Sequence, residues 1–119
     1  MNVQKTYSLI IGLILTGWGV WGFFTNSVLG LFGSNTLQSV IHLVLGLIGV
    51  YVGIWGIGSN YNLTIGWLLL ILGVLSLVPG LSNVFVEWFN TNLSNNLLHV
   101  LIGLISLLFY YSFKTEDVF

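Results

Sequence analysis

Four stretches of this chain are apolar for close to the length of a membrane span: about Thr6–Phe24, Thr36–Ile57, Asn62–Pro79 and Leu93–Phe113. A helix needs about 20 mostly apolar residues to cross the hydrocarbon core of a bilayer. The five charged residues, Lys5, Glu87, Lys114, Glu116 and Asp117, avoid the centre of every run. Charge makes up 4% of the chain, against about a quarter in a soluble domain. A surface of this kind must face lipid or other membrane proteins. The pattern predicts an all-α, polytopic membrane four-helix bundle forming a single transmembrane domain over residues 1–119. The first run follows Lys5 as a signal peptide would, but it is near full spanning length and no Ala-x-Ala-like site follows it, so a retained first helix is expected.

Three linkers separate the runs: Thr25–Asn35, Gly58–Tyr61 and Gly80–Asn92. The second is a tight turn. The other two carry apolar residues, Val28, Leu29, Leu31 and Phe32 in one and Phe85, Val86, Trp88 and Phe89 in the other. Each of these suits either a short amphipathic turn in the interface or a loop folded over helix ends. Lys5 and Lys114 flank the two ends, while neither long linker holds Lys or Arg, so the positive-inside bias places both termini in the cytoplasm. Aromatics gather near the span ends: Tyr7, Trp55, Tyr61, Trp67, Tyr110 and Tyr111 at one interface, Trp18, Trp21 and Trp88 at the other.

An internal repeat runs through the chain. An offset of 57 places Asn35 on Asn92, Ser39 on Asn96, His42 on His99, Gly46 on Gly103 and Gly49 on Ser106. An offset of 54 places Ile11-Gly12 on Ile65-Gly66, Gly19-Val20 on Gly73-Val74 and Gly22 on Ser76. The repeats cover about residues 6–57 and 62–113. With two spans each they share one orientation, so their pseudo-twofold axis is expected along the membrane normal, with the two histidines at one depth. Asn35, Ser39, His42, Gly46, Gly49, Gly53 and Gly56 recur at spacings of three and four, as do Asn92, Asn96, His99, Gly103 and Ser106. Such spacing holds side chains on one stripe of a helix. The stripe is polar at its outer end and small toward its middle, which suits close helix packing in lipid. The other two runs carry matching stripes, Gly12, Leu15, Gly19, Gly22 and Gly66, Leu69, Gly73, Ser76.

Several segments resemble a known family. Gly30-Leu31-Phe32-x-x-Asn35-x-Leu37-x-Ser39-x-x-His42-Leu43 and Asn96-x-x-His99-x-x-x-Gly103 are similar to the paired motif of the domain-of-unknown-function 4383 family, small bacterial four-span membrane proteins. Gly73-Val74-Leu75-Ser76-Leu77-Val78-Pro79-Gly80 resembles that family's Gly-Val-Leu-Gly-Phe-x-Pro-Gly segment. Ser39 stands where the family usually has Asn, and the Pro-Gly follows the third span instead of the first. The resemblance implies four helices in a bacterial inner membrane and implies no activity.

Chemistry is narrowly bounded. With no cysteine, thiolate metal sites and disulfide exchange are excluded. With no basic stripe, nucleic-acid binding has no electrostatic basis. The spans hold no carboxylate or amine for a proton relay, and no nucleophile oriented by a base and a third group. The intramembrane ionisable groups His42 and His99 stand out. In one reading each neutral imidazole hydrogen-bonds across helices to Asn35, Ser39, Asn92 or Asn96 and glues the bundle. In the other they are axial ligands of a haem or chlorophyll-like pigment, with no other metal site, since two histidines do not complete a tetrahedral zinc site. The first makes the chain a non-enzymatic structural or accessory membrane protein, with no cofactor, that meets lipid and other membrane proteins or itself. The second makes it a small bis-histidine pigment carrier. Reporter fusions after Phe119 and after Ser59 are expected to read cytoplasm, and one within Thr25–Asn35 the outside; an outside signal after Phe119 would overturn the lysine rule here.

Overall fold

The computed structural model describes residues 2–114, with helices α1 (Val3–Gly22), α2 (Thr36–Trp55), α3 (Ser59–Leu77), α4 (Ser82–Phe89) and α5 (Leu93–Phe113). A minimal ribbon, β1 (Ser27–Val28) paired antiparallel with β2 (Phe32–Gly33), lies between α1 and α2. The chain is therefore all-α apart from this hairpin. Helix starts follow local chemistry. The side chains of Asn2, Asn35 and Asn92 accept hydrogen bonds from the backbone N–H of Lys5, Gln38 and Asn95, three caps of the preferred type. Asn95 answers Asn92 from the third position and completes a capping box. α3 stops at Leu77, two residues before Pro79, because proline cannot donate and disfavours helix in the residue before it.

α2, α3 and α5 are each long and apolar enough to cross a membrane. α1 has the length, 20 residues, but its first two turns hold Gln4, Lys5, Thr6 and Ser8. The sequence run was expected to begin at Thr6. Asn2 caps the helix earlier and brings Gln4 and Lys5 inside it, so among the described residues three helices and not four qualify by composition. The long axis of the molecule is 42 Å, against about 40–45 Å for a bilayer with its headgroups. Large apolar side chains such as Ile14, Leu47, Ile71 and Leu104 point outward from every long helix.

The helices form two tight pairs, α1 with α2 and α3 with α5. Glycines set both contacts. A Cβ on Gly19 would lie 2.7 Å from Leu43 N and 2.8 Å from Ser39 O. One on Gly73 would lie 2.9 Å from Val100 N and 3.0 Å from Asn96 O. A Cβ on Gly12 would strike the backbone at Gly46, Gly49 and Val50, and one on Gly103 the backbone at Gly66 and Leu70. These are backbone-to-backbone approaches that only hydrogen on Cα permits. The contacts recur at the offsets seen in sequence: 12 with 66, 19 with 73, 39 with 96, 43 with 100.

Between the pairs, Tyr7, Ile11 and Leu15 of α1 pack with Tyr61, Ile65 and Leu69 of α3 in one buried cluster. Tyr7 Oη lies 2.6 Å from Ser106 Oγ on α5, and Tyr61 Oη donates to Leu45 O on α2 at 2.8 Å, so each tyrosine ties its own pair to the other. At the terminal end Asn62 donates to Gln4 Oε1 (2.8 Å), Ser8 Oγ donates to Asn62 Oδ1 (2.8 Å), and Gln4 Nε2 donates to Tyr110 O (3.0 Å). Burial without such partners would cost each group about 1–3 kcal/mol.

The two long linkers resolve differently. The first turns at Leu29 and Gly30, both at positive φ, and buries Val28 completely. The second carries α4, which buries none of its residues and ends at Asn90 in the left-handed conformation. Its exposed Val84, Val86 and Trp88 suit an interfacial helix.

Gly49 is buried, with Tyr61 Oη and the Gly12 backbone against the place of its Cβ. Leu45 packs against the core cluster and does not face outward; Leu47 does. Gly12→Leu and Gly49→Leu are therefore expected to destabilise the fold by about 1–3 kcal/mol or more, as overpacking does. Gly17→Ala meets open space, and Leu47→Ile sits on an exposed face, so both should leave the unfolding midpoint in detergent unchanged. Equal losses in all four would refute the glycine contact.

Candidate functional site

His42 and His99 each stand seven residues beyond an asparagine cap, Asn35 for one and Asn92 for the other. At about 1.5 Å per residue this puts both rings roughly 10 Å along their helices. The fold brings them together: the ring centroids are 5.9 Å apart, with planes at 78°. His42 is buried and His99 half-buried.

What holds them there is a crossed set of amide contacts. Asn35 Nδ2 donates to Trp88 O at 2.8 Å, and Asn92 Nδ2 donates to Leu31 O at 2.9 Å. Each cap thus grips the linker of the other helix pair. One turn later Gln38 Nε2 donates to Phe89 O at 2.8 Å. Asn95, its counterpart, accepts from Gly33 N at 2.8 Å and donates to Gly33 O at 3.1 Å. Gly33 and the Asn90 backbone meet so closely that no Cβ fits between them. Asn90 Nδ2 closes the seam on Ser34 O at 2.9 Å.

The polar residues expected to bond the imidazoles are engaged elsewhere. Asn35 and Asn92 cap their helices and hold linkers. Ser39 Oγ pairs with Ser34 Oγ at 3.1 Å, and Asn96 Nδ2 donates to Ser76 O at 3.2 Å. Among the described residues neither imidazole has a hydrogen-bond partner. The rest of the stripe is helix contact. Gly46 meets Thr16, Gly53 meets Leu9, Gly103 meets Leu70 and Ser106 meets Tyr7. Gly56 lies past the end of α2, where the nearest atoms to the place of its Cβ belong to Val52 of the preceding turn and not to another helix, so it leaves the stripe.

A cavity flanks the histidine pair on either side. One, of about 290 Å³, lies between α2, α3 and α4, lined by Gln38, Leu45, Leu68, Leu72, Phe85 and Phe89 among others. The second, of about 300 Å³, lies between α1, α5 and the hairpin, lined by Ile14, Trp18, Phe32, Asn95, Leu98 and Ile102 among others. His42, His99 and Leu69 line both and form the wall between them. Most lining positions correspond at the same offsets of 54 and 57, such as 14 with 68, 18 with 72, 32 with 89, 38 with 95 and 45 with 102.

Gln38 and Asn95 were not singled out from the sequence. The signal was present: the offset that pairs the histidines also pairs these amides, one turn before each ring. They differ in satisfaction. Both polar atoms of Asn95 are bonded, whereas Gln38 Oε1 is buried without a partner, as is Asn96 Oδ1. Asn95→Leu removes bonds to Gly33 N, Gly33 O and Asn92 N, and is expected to destabilise by about 1–3 kcal/mol. Gln38→Leu removes one bond together with an unpaired oxygen, and thermal unfolding should shift by less than half as much.

The model of one family, described as Domain of unknown function (DUF4383), matches residues 5–112. No curated protein and no solved structure matches the chain.

Proposed function

The chain belongs to the family of the Domain of unknown function (DUF4383), and we propose that it is a four-span integral membrane protein of two parallel two-helix repeats, acting without catalysis as a structural or accessory subunit. α1 completes the four spans in this reading, because it lies along α2 for most of its length through Gly12 and Gly19. The recurrence of the helix contacts, of the tyrosine ties and of the crossed caps at offsets of 54 and 57 supports the repeat. Both termini face the cytoplasm of a bacterial cell, on the lysine distribution.

One observation carries the accessory role: nearly all buried polar side chains are tied to structural partners, across helices or onto the linkers. What is left among the described residues is the histidine pair, the Thr91 hydroxyl and two amide oxygens, with no carboxylate or amine beside them. That inventory suits a scaffold, since it holds no nucleophile oriented by a base and a third group. The exposed apolar faces offer contact to lipid, to further membrane proteins or to a second copy. The pigment reading has one observation in its favour, a pair of rings on two helices without hydrogen-bond partners. Against it, a macrocycle between the rings would have to displace Leu69, which is 3% exposed in the core cluster.

Protein purified from its native membrane in mild detergent is expected to be colourless and to elute with a stable partner or as a defined oligomer. His42→Gln should retain that assembly. A monomer free of partners would refute the accessory role, and a stoichiometric Soret band lost in both His42→Ala and His99→Ala would replace it with porphyrin ligation.

A further inference from the structure

The two cavities beside the histidine pair have the same frame and different chemistry. In the cavity facing the hairpin the amide is closed, and the two imidazoles border it as they border the other. Asn95 is bonded at both polar atoms, and Trp18 packs edge-on against Phe32 with centroids 5.0 Å apart. In the cavity facing α4, Leu72 stands where Trp18 stands opposite, and the amide of the wall is only half bonded. Gln38 is 4% exposed, and its Oε1 has no partner. Thr91, also buried, lines the same cavity with no side-chain hydrogen bond among the described residues. The two imidazoles complete the set. Asn96, whose Oδ1 is the other unpaired oxygen, is bonded to Ser76 of the cavity wall.

In lipid an unsatisfied amide oxygen is costly, because no water stands by to hydrogen-bond it. Gln38 Oε1 can only accept, a neutral imidazole offers one acceptor and one donor, and a threonine hydroxyl offers both. The matching ligand therefore carries hydroxyl groups that donate. The remainder of the lining is apolar and aromatic: Ile41, Leu45, Leu68, Leu72, Phe85 and Phe89. At about 290 Å³ the space is roughly twice a ~150 Å³ cavity that takes a benzene ring. It holds one substituted ring and the start of a tail. Apart from side-chain contacts such as Tyr61 on Leu45 and Gly49, α2 and α3 stay apart, so the cavity is reached sideways from the bilayer. We infer that the cavity between α2, α3 and α4 binds the hydroxylated ring of a lipid-phase quinol, with Gln38 and the histidine pair holding its hydroxyl groups. This goes beyond the accessory role and does not depend on the partner that role requires.

The test uses the full chain in nanodiscs and a radiolabelled decyl-substituted benzoquinol, with protein-free nanodiscs as the baseline. One equivalent is expected to bind saturably. The dimethyl ether of the same quinol keeps the shape and removes both donors, and should bind about tenfold more weakly. Gln38→Leu should show the same loss for the quinol and none for the ether. Leu72→Trp, which puts an indole into this cavity, should weaken both. Trp18→Leu, in the other cavity, should leave quinol binding unchanged. Equal binding of quinol and ether to wild type and Gln38→Leu would overturn the proposal and leave a groove for acyl chains only. Absence of saturable binding to folded wild-type protein would overturn it outright. Should Leu72→Trp fail to fold, the ether comparison and Gln38→Leu still decide.

Discussion

The approach of backbone to backbone within α1/α2 and α3/α5 is the contact on which the rest of this structure depends. In a bilayer, helices gain nothing by burying leucine against leucine, since lipid tails are as apolar as the side chains. What distinguishes a protein neighbour from lipid is close van der Waals contact and polar pairing. Gly12 against Gly46 and Gly49, and Gly66 against Gly103, supply the first. Once these pairs are fixed, the depth of every other side chain follows. Tyr7 and Tyr61 reach Ser106 and Leu45 of the opposite pair, and the caps of α2 and α5 come to the level of the long linkers.

Polar pairing then holds the two pairs together. Interhelical hydrogen bonds in membranes average about 0.6 kcal/mol each, so no single one decides the fold. The crossing matters more than the sum. Because Asn35 holds the Trp88 carbonyl and Asn92 the Leu31 carbonyl, pulling the pairs apart breaks contacts at both linkers at once. The histidines sit on the seam that this crossing closes. Their proximity follows from equal spacing behind the two caps, without a bond between the rings and any of the neighbouring amides.

Much of this was legible in the sequence because composition and period act locally. α5 has the limits read from its apolar run, and the buried positions Ser39, His42, Gly46, Gly49 and Gly53 follow the stripe spacing. The misses are long-range. α1 begins three residues early because Asn2 caps it, and Gln4 and Ser8 in its first turns are buried because Asn62 on α3 and Tyr110 on α5 meet them. The hairpin is carried by Leu29 and Gly30, and leucine at positive φ has no sequence signature. The partners of Asn35, Ser39, Asn92 and Asn96 turned out to be linker backbone, a neighbouring serine and the end of α3, and no spacing rule on one helix reports those. Leu45 faces the core because α3 presents Tyr61 to its carbonyl.

The finest difference in the molecule is one methylene. Asn95 and Gln38 occupy corresponding places, one turn before each histidine, and each faces a linker of the other pair. The shorter amide lies flat against the Gly33 peptide and uses both its atoms. The longer one reaches the Phe89 carbonyl with its nitrogen and leaves its oxygen behind. The neighbouring position repeats the pattern. Ser39 pairs with Ser34, while Asn96 bonds Ser76 instead of Thr91, the counterpart of Ser34, and leaves its own oxygen unpaired. A frame that satisfies these groups on one side shows that satisfying them is geometrically possible. The unpaired Gln38 oxygen therefore falls on the α4 side for a chemical reason, the length of one side chain, and that side is where the bundle keeps capacity to bind something other than itself.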